Sequence, residues 1–362
     1  TLNLFFTVFL FVFTSWFKKN FKHKFNVYKK EVFLKMKRYL IVGGAGFIGS
    51  HLATKLFREE KEIEIVIYDN FSSGKKWHLE DIINNKNLII VEADIKEINK
   101  LIEASKGIDF VYHFASNPDI AKAVTQPDID FWEGTYLTNN VIEAMRINSI
   151  KNLLYASGSG VYGDTGYTEA NEDYSPMLPI STYGASKLAC EALICSYSYM
   201  FDINAAAFRF ANVVGPHQTH GVGYDFVRRL LNDNSKLDIL GDGSQSKSYI
   251  YVDDILNAMR SVEKKHLNKF NYYNVATLDY ITVTEIADIV CELLGLKQVD
   301  YKYSGGDRGW KGDVPIVRLN SEKIRSLGWE NKFSAFEAIR NSVTSIIEDA
   351  RNDKFCWEVK GS

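Results

Sequence analysis

Tyr183 and Lys187 stand four residues apart in a stretch of helical periodicity, a spacing that puts both side chains on one helix face about 6 Å apart along the axis. An ammonium beside a phenol favours the phenolate, the form a general base acting on a hydroxyl near neutral pH must reach. Taken alone, the pair is also what an exposed helix surface can carry. A second set of residues suits a dinucleotide. An apolar run over residues 39–42 leads into Gly43-Gly44-Ala45-Gly46-Phe47-Ile48-Gly49 and then into a helical pattern. Gly43 permits the tight turn, Gly46 lets backbone approach a pyrophosphate, and Gly49 lets helix pack on strand, while the helix start at Phe47 and Ile48 supplies N–H donors and positive dipole. Twenty residues after Gly49 a second apolar run ends in Asp69, where a carboxylate accepts from ribose hydroxyls and repels the extra phosphate of NADP. Its neighbour Asn70 brings no compensating cation, so NAD is the expected cofactor.

These residues need a frame that brings them together. Short β-branched runs at residues 39–42, 63–68, 88–91, 110–113 and 153–156 alternate with helical patterns at 47–58, 95–104 and 135–147. A long helix over 182–200 and a strand over 205–210 follow. Strands apolar along their whole length are those buried on both faces, so the expected fold is α/β, a Rossmann-type doubly wound parallel sheet. Residues 36–210 form its NAD-binding domain. Beyond Gly215-Pro216 the segments shorten and Gly-rich turns appear, which marks residues 211–362 as a smaller α/β substrate lobe. Strands within 249–275 are candidates to rejoin the first domain.

Composition bounds the rest. At 362 residues, 46% hydrophobic and 24% charged, the chain is an ordinary globular one. Residues 1–35 carry seven lysines against Glu31 alone, so the net charge of −2 leaves −8 on the remainder; nucleic acid is not an expected partner. Cys190, Cys195, Cys291 and Cys356 form neither a C-x-x-C pair nor a cluster with histidine, which suggests no metal site, no disulfide framework and a cytoplasmic location. The apolar run at 4–17 is 14 residues long, short of the ~20 a membrane-spanning helix needs, and its lysines follow it rather than precede it as in a secretory signal. Met36 reads as the natural start, with 1–35 a leader outside the fold and no membrane contact expected.

The order and spacing of several motifs resemble one family. The glycine turn, Asp69-Asn70, His113-Phe114-Ala115, Val161-Tyr162-Gly163, Tyr183 to Lys187 and Arg209 to Pro216 are together similar to the extended short-chain dehydrogenase/reductases, over about residues 36–349. Asn117-Pro118-Asp119, Gly241 to Gln245 and Tyr251-Val252-Asp253-Asp254 make the likeness strongest to NAD-dependent nucleotide-sugar epimerases of the UDP-glucose 4-epimerase kind. The resemblance implies Tyr183 as base with Lys187 beside it, Asp94-Ile95 at the adenine, Phe114-Ala115 by the nicotinamide ribose, Asn212 on the nucleotide sugar, and a homodimer through the helices at 135–147 and 182–200.

The chain also departs from that pattern. The serine or threonine that bonds the reacting hydroxyl falls at Gly158; Ser157 and Ser159 flank it as candidates, and strand alternation would set both on one side. Gly134 stands where the family has an asparagine. Lys247-Ser248 replaces Arg-Asp, leaving a point charge for the diphosphate without a bidentate fork, and Arg308 is either a second cation or a solvated surface charge. Relatives that eliminate water place Asp-Glu before the valine, and a decarboxylase would carry a glutamate near this turn. Here Ser159 and Gly160 precede Val161, and no glutamate lies between Leu153 and Asp164. The expected activity is therefore epimerisation at carbon 4 of a UDP-sugar by removal and return of hydride. A dehydratase or decarboxylase, a net dehydrogenase or reductase, and a non-enzymatic NAD-binding regulator are the alternatives.

Overall fold

Why the apolar runs carry no alternation is visible in the computed structural model, which describes residues 36–355. Strands β1 (Lys37–Val42), β2 (Ile63–Asp69), β3 (Leu88–Glu92), β4 (Phe110–His113), β5 (Asn152–Gly158), β6 (Asn204–Phe210) and β11 (Phe270–Val275) form one parallel sheet in the order β11-β6-β5-β4-β1-β2-β3. Along β1 and β2, Tyr39, Ile41, Ile65 and Ile67 face a layer containing Leu52, Leu56, Leu256 and Met259. Leu40, Val42, Val66 and Tyr68 face the other, with Leu101, Val141, Ile142 and Ile194. Both faces are covered, so the central positions of both strands are apolar, with charge left only toward their ends, at Lys37, Arg38, Glu64 and Asp69. Each such side chain taken from water contributes roughly 1.5–3 kcal/mol.

The covering helices on the first face are α1 (Phe47–Glu59) and, much later in the chain, Val252–Lys265; on the second they are α2 (Ile98–Ala104), α3 (Leu137–Ile147) and α4 (Thr182–Phe201). Two helix starts differ from the sequence expectation. Asp94 and Ile95 lie before α2, because the Asp94 carboxylate accepts from the Lys96 N–H at 2.8 Å and the Asp94 carbonyl accepts from the Glu97 N–H, making a turn instead of a helix. The helix expected from residue 135 is preceded by a π-helical turn, Phe131–Tyr136. There Gly134 packs against Ser186, where a Cβ would overlap the serine hydroxyl, and Thr135 bonds the same hydroxyl at 2.9 Å.

After β6 the chain forms β7 (Asn212–Val214), α5 (Val222–Asn232) and β8 (Lys236–Ile239), then β9 (Ser246–Lys247) and β10 (Tyr249–Tyr251), before α6 (Val252–Lys265). β10 pairs with β7, whereas β11 takes the free edge of the large sheet beside β6. A third core, with Phe226, Leu230, Ile239 and Val290 among its members, gathers α5, β8, α7 (Val283–Leu294) and α8 (Ala335–Arg351). Reciprocal side-chain caps start α7 and α8, Thr282 with Glu285 and Ser334 with Glu337. Among the described residues no helix is long and apolar enough to cross a membrane. The leader at 1–35 and Cys356 lie outside the described residues.

Candidate active site

The strand order changes direction between β1 and β4, and in such sheets ligands bind beyond the carboxyl ends of the strands at that point. A cleft of about 1180 Å³ opens there. Gly43, with φ +78°, faces Ala115 so closely that a Cβ would stand 2.7 Å from the Ala115 nitrogen. Gly46 precedes α1 without a side-chain cap, leaving its first N–H groups to the cleft, and Gly49 packs on the Gly43 carbonyl. Asp69 is buried at the end of β2, with Ala45 N–H donating to it at 2.9 Å and Phe71 N–H at 2.8 Å. Burial pushes its carboxyl above the usual range, and these N–H donors work against that shift. Asn70 donates to Asp94 at 3.1 Å. Phe47, Ile48, Asp94, Ile95, Phe114 and Ala115 all line the same cleft. The glycine cradle, the free helix N-terminus and the carboxylate fit a dinucleotide.

On the far wall α4 begins. Ser181 caps it by accepting from Gly184 N–H at 3.1 Å, and Asp130 ties its first turn through Thr182 at 2.6 Å. Tyr183 and Lys187 both line the cleft. Lys187 is 4% exposed and donates to the Ala156 carbonyl at 2.8 Å, with its Nζ 5.4 Å from the centre of the Tyr183 ring. One turn further, Glu191 accepts from Ser157 at 2.6 Å and pairs with Arg209 at 2.7 Å, all three buried. Glu191 went unnoticed in the sequence, although it extends the four-residue spacing of Tyr183 and Lys187.

The structure separates the two candidate serines. Strand alternation stops at Gly158, because Ser159 opens a 3₁₀ turn, Ser159–Tyr162. Both line the cleft, but the Ser157 proton is committed to Glu191, whereas Ser159 makes no side-chain hydrogen bond to a described residue. Gly158 has ordinary extended backbone, φ −159° and ψ 165°, and a Cβ added there would meet nothing within 4 Å. Asn212 and Lys247 line the cleft, and Lys247 is paired with Asp313 at 2.7 Å. Arg308 holds the Asp164 carboxylate and the Asp313 carbonyl and is not among the residues lining the cleft. Nearby, burial pushes the Tyr249 phenol up to about 12, opposed by a hydrogen bond with Asn212.

A dinucleotide cradle at the switch point of a parallel sheet, facing a tyrosine backed by a buried lysine, defines an NAD-dependent enzyme that moves hydride at a carbinol. The chain belongs to the NAD-dependent epimerase/dehydratase family, whose model matches residues 39–276, and NAD is its cofactor. A putative UDP-glucose 4-epimerase of Methanocaldococcus jannaschii is 32% identical over 86% of this chain and 99% of its own length. Human dTDP-D-glucose 4,6-dehydratase is 28% identical over 88% of this chain and 92% of its own. A crystal structure of a UDP-galactose 4-epimerase superposes with a TM-score of 0.76 at 34% identity, covering 86% of this chain and 99% of that one.

Proposed function

We propose that the protein interconverts the carbon-4 epimers of a UDP-sugar with no net change in cofactor redox state. Gly43, Gly46, Gly49 and Asp69 would hold NAD, which would supply reversible hydride transfer at the carbinol. Tyr183 takes the proton of the carbon-4 hydroxyl and later gives it back, with the Lys187 ammonium beside its ring. Ser159 is the hydroxyl free to bond the reacting oxygen. Lys247 exchanges Asp313 for the diphosphate, which positions the sugar against the tyrosine. Arg308 supports that wall through Asp164 and Asp313.

The observation that carries the reading is the composition of the turn after β5. A dehydratase must move a proton off carbon 5 and onto the departing hydroxyl, and Ser159 and Gly160 offer no carboxylate for either task. Asp164, the first acidic residue beyond the turn, is engaged by Arg308. The ketose then has no well-placed group to divert it. We read residues 36–210 as the NAD-binding part and 211–362 as the substrate lobe with β11 returned to the sheet. A cytoplasmic homodimer through α3 and α4 belongs to the same reading, supported by large apolar side chains left exposed there, Ile147, Tyr199 and Met200. Incubation with a panel of UDP-, dTDP-, GDP- and CDP-sugars followed by NMR tests the activity. The expected product has the substrate's mass, and NADH absorbance stays flat. A product lighter by water or carbon dioxide, or stoichiometric NADH, overturns the reading.

A further inference from the structure

Gln245 is 3% exposed, and its amide is half satisfied. Nε2 donates to the Leu240 carbonyl at 3.3 Å, which fixes the amide's orientation, since the opposite one would set two oxygens against each other. Oε1 has no partner among the described residues. A buried acceptor without a partner is destabilising, and native structures rarely retain one without a use. The niche is also specifically shaped. The amide lies against Gly241, whose φ of +77° and missing Cβ leave the room; a side chain there would overlap Nε2.

The chain entering β9 places this acceptor with respect to the diphosphate site. Gln245 and Lys247 both line the cleft, while Ser246 between them turns away and bonds Arg318 at 3.1 Å. Gln245 immediately precedes β9, and residues two apart in extended chain lie about 6.6 Å from each other. A ligand whose phosphates sit at Lys247 therefore presents the group one sugar ring away to Gln245, and an unpaired carbonyl oxygen can only take a donor.

We propose that Gln245 accepts a hydrogen bond from a ribose hydroxyl of the bound nucleotide, so that the site selects ribonucleoside diphosphates over their deoxy counterparts. The inference rests on the nucleotide-sugar reading above and adds to it which half of the ligand Gln245 reads. A penalty for 2′-deoxy-UDP extends it to choice among substrates, because dTDP-sugars lack the hydroxyl at carbon 2′, whereas a penalty for 3′-deoxy-UDP does not.

Calorimetric titration of the NAD-loaded protein with UDP, 2′-deoxy-UDP and 3′-deoxy-UDP tests it. The wild type is expected to bind one deoxy nucleotide roughly fivefold to twentyfold more weakly than UDP, the range a single buried hydrogen bond supports. Gln245→Met, close in shape and without polar atoms, should bind UDP weaker by a similar factor and be indifferent to loss of that hydroxyl, with an unchanged or higher melting temperature. An equal deoxy penalty in both proteins, or UDP binding unchanged by the substitution, overturns the proposal. Should the variant fold poorly, the wild-type arms decide alone: full affinity for both deoxy nucleotides overturns it. A wild type that binds no UDP overturns the substrate reading as well, whereas UDP binding with no deoxy penalty overturns this inference only.

Discussion

A tyrosine that exchanges a proton with substrate works beside a cation held in place, and the fold holds Lys187 in place. The Ala156 carbonyl accepts one of its protons, and the Tyr155 and Tyr183 rings flank it at 5.0 and 5.4 Å. Tyr183→Phe should therefore lower kcat by at least ~10²-fold with UDP affinity nearly kept, as expected for loss of a general acid/base; steady-state kinetics beside UDP titration measures both, and retained turnover would remove Tyr183 from the mechanism. The serines are expected to split. Ser159→Ala should cost turnover and leave the melting temperature alone. Ser157→Ala should cost about 1 kcal/mol of stability, because it strips a hydrogen bond from buried Glu191. The glycines were legible from residue type and spacing, since only glycine fits a cradle; the shared helix face of Tyr183 and Lys187 was legible too, while their role came from the family resemblance. The roles of the serines were not legible, because they depend on where the strand ends.

Among the elements, the start of α1, the short turn at Lys76–Leu79 and the loop after Pro216 meet in three imidazoles. His217 stacks on His51 with ring centres 4.7 Å apart and on His78 at 4.8 Å, and Trp77 meets His217 edge-on at 5.1 Å. His78 bonds the Ala45 carbonyl of the glycine turn at 2.8 Å, and His51 bonds the Pro216 carbonyl at 2.9 Å. Burial holds His78 down to about 4 and His217 to about 3, with neighbouring imidazoles adding to the effect, and lowers His51 as well. Their unfolded value is about 6.5, so above pH 7 all are neutral in both states; below it the unfolded chain binds protons the folded one refuses, and stability falls from about pH 6.5 toward about pH 4. Urea midpoints should drop between about pH 7 and pH 5, and His217→Phe should flatten that slope. Identical slopes in the two proteins would show that the stack is not the acid-sensitive element. Three histidines separated by up to 166 positions could not be read as a cluster from the sequence.

For the whole molecule, the question is where the folded unit begins. Arg38 is already committed: its N–H donates to Asp109 at 3.0 Å and its guanidinium pairs with Glu64 at 2.6 Å, and the described residues from Arg38 onward cluster as one compact unit. Deleting residues 1–35 should leave melting temperature and turnover unchanged, because β1 and everything it pairs with is retained. A clear loss of either would show that the leader takes part in the fold. The return of β11 to the free edge of the sheet ties the later part of the chain to the first. A melt of the truncated protein is therefore expected to show one transition rather than two.

Local pattern alone determined the parallel sheet, the glycine turn, the NAD preference and the pairing of Tyr183 with Lys187, because periodicity, chirality and glycine's missing Cβ act within a few residues or along one helix face. Tertiary structure decided what depends on neighbours distant in sequence. Glu191, paired with Arg209 across α4 and β6, takes up the Ser157 proton although that serine lines the cleft. Asp313 and Asp164 hold the two cations expected at the diphosphate, and close packing of Gly134 on Ser186 accompanies a π-helical turn ahead of α3. A buried hydroxyl or charge goes to whichever partner the fold sets within hydrogen-bonding reach, since leaving it unpaired costs more than any local preference returns.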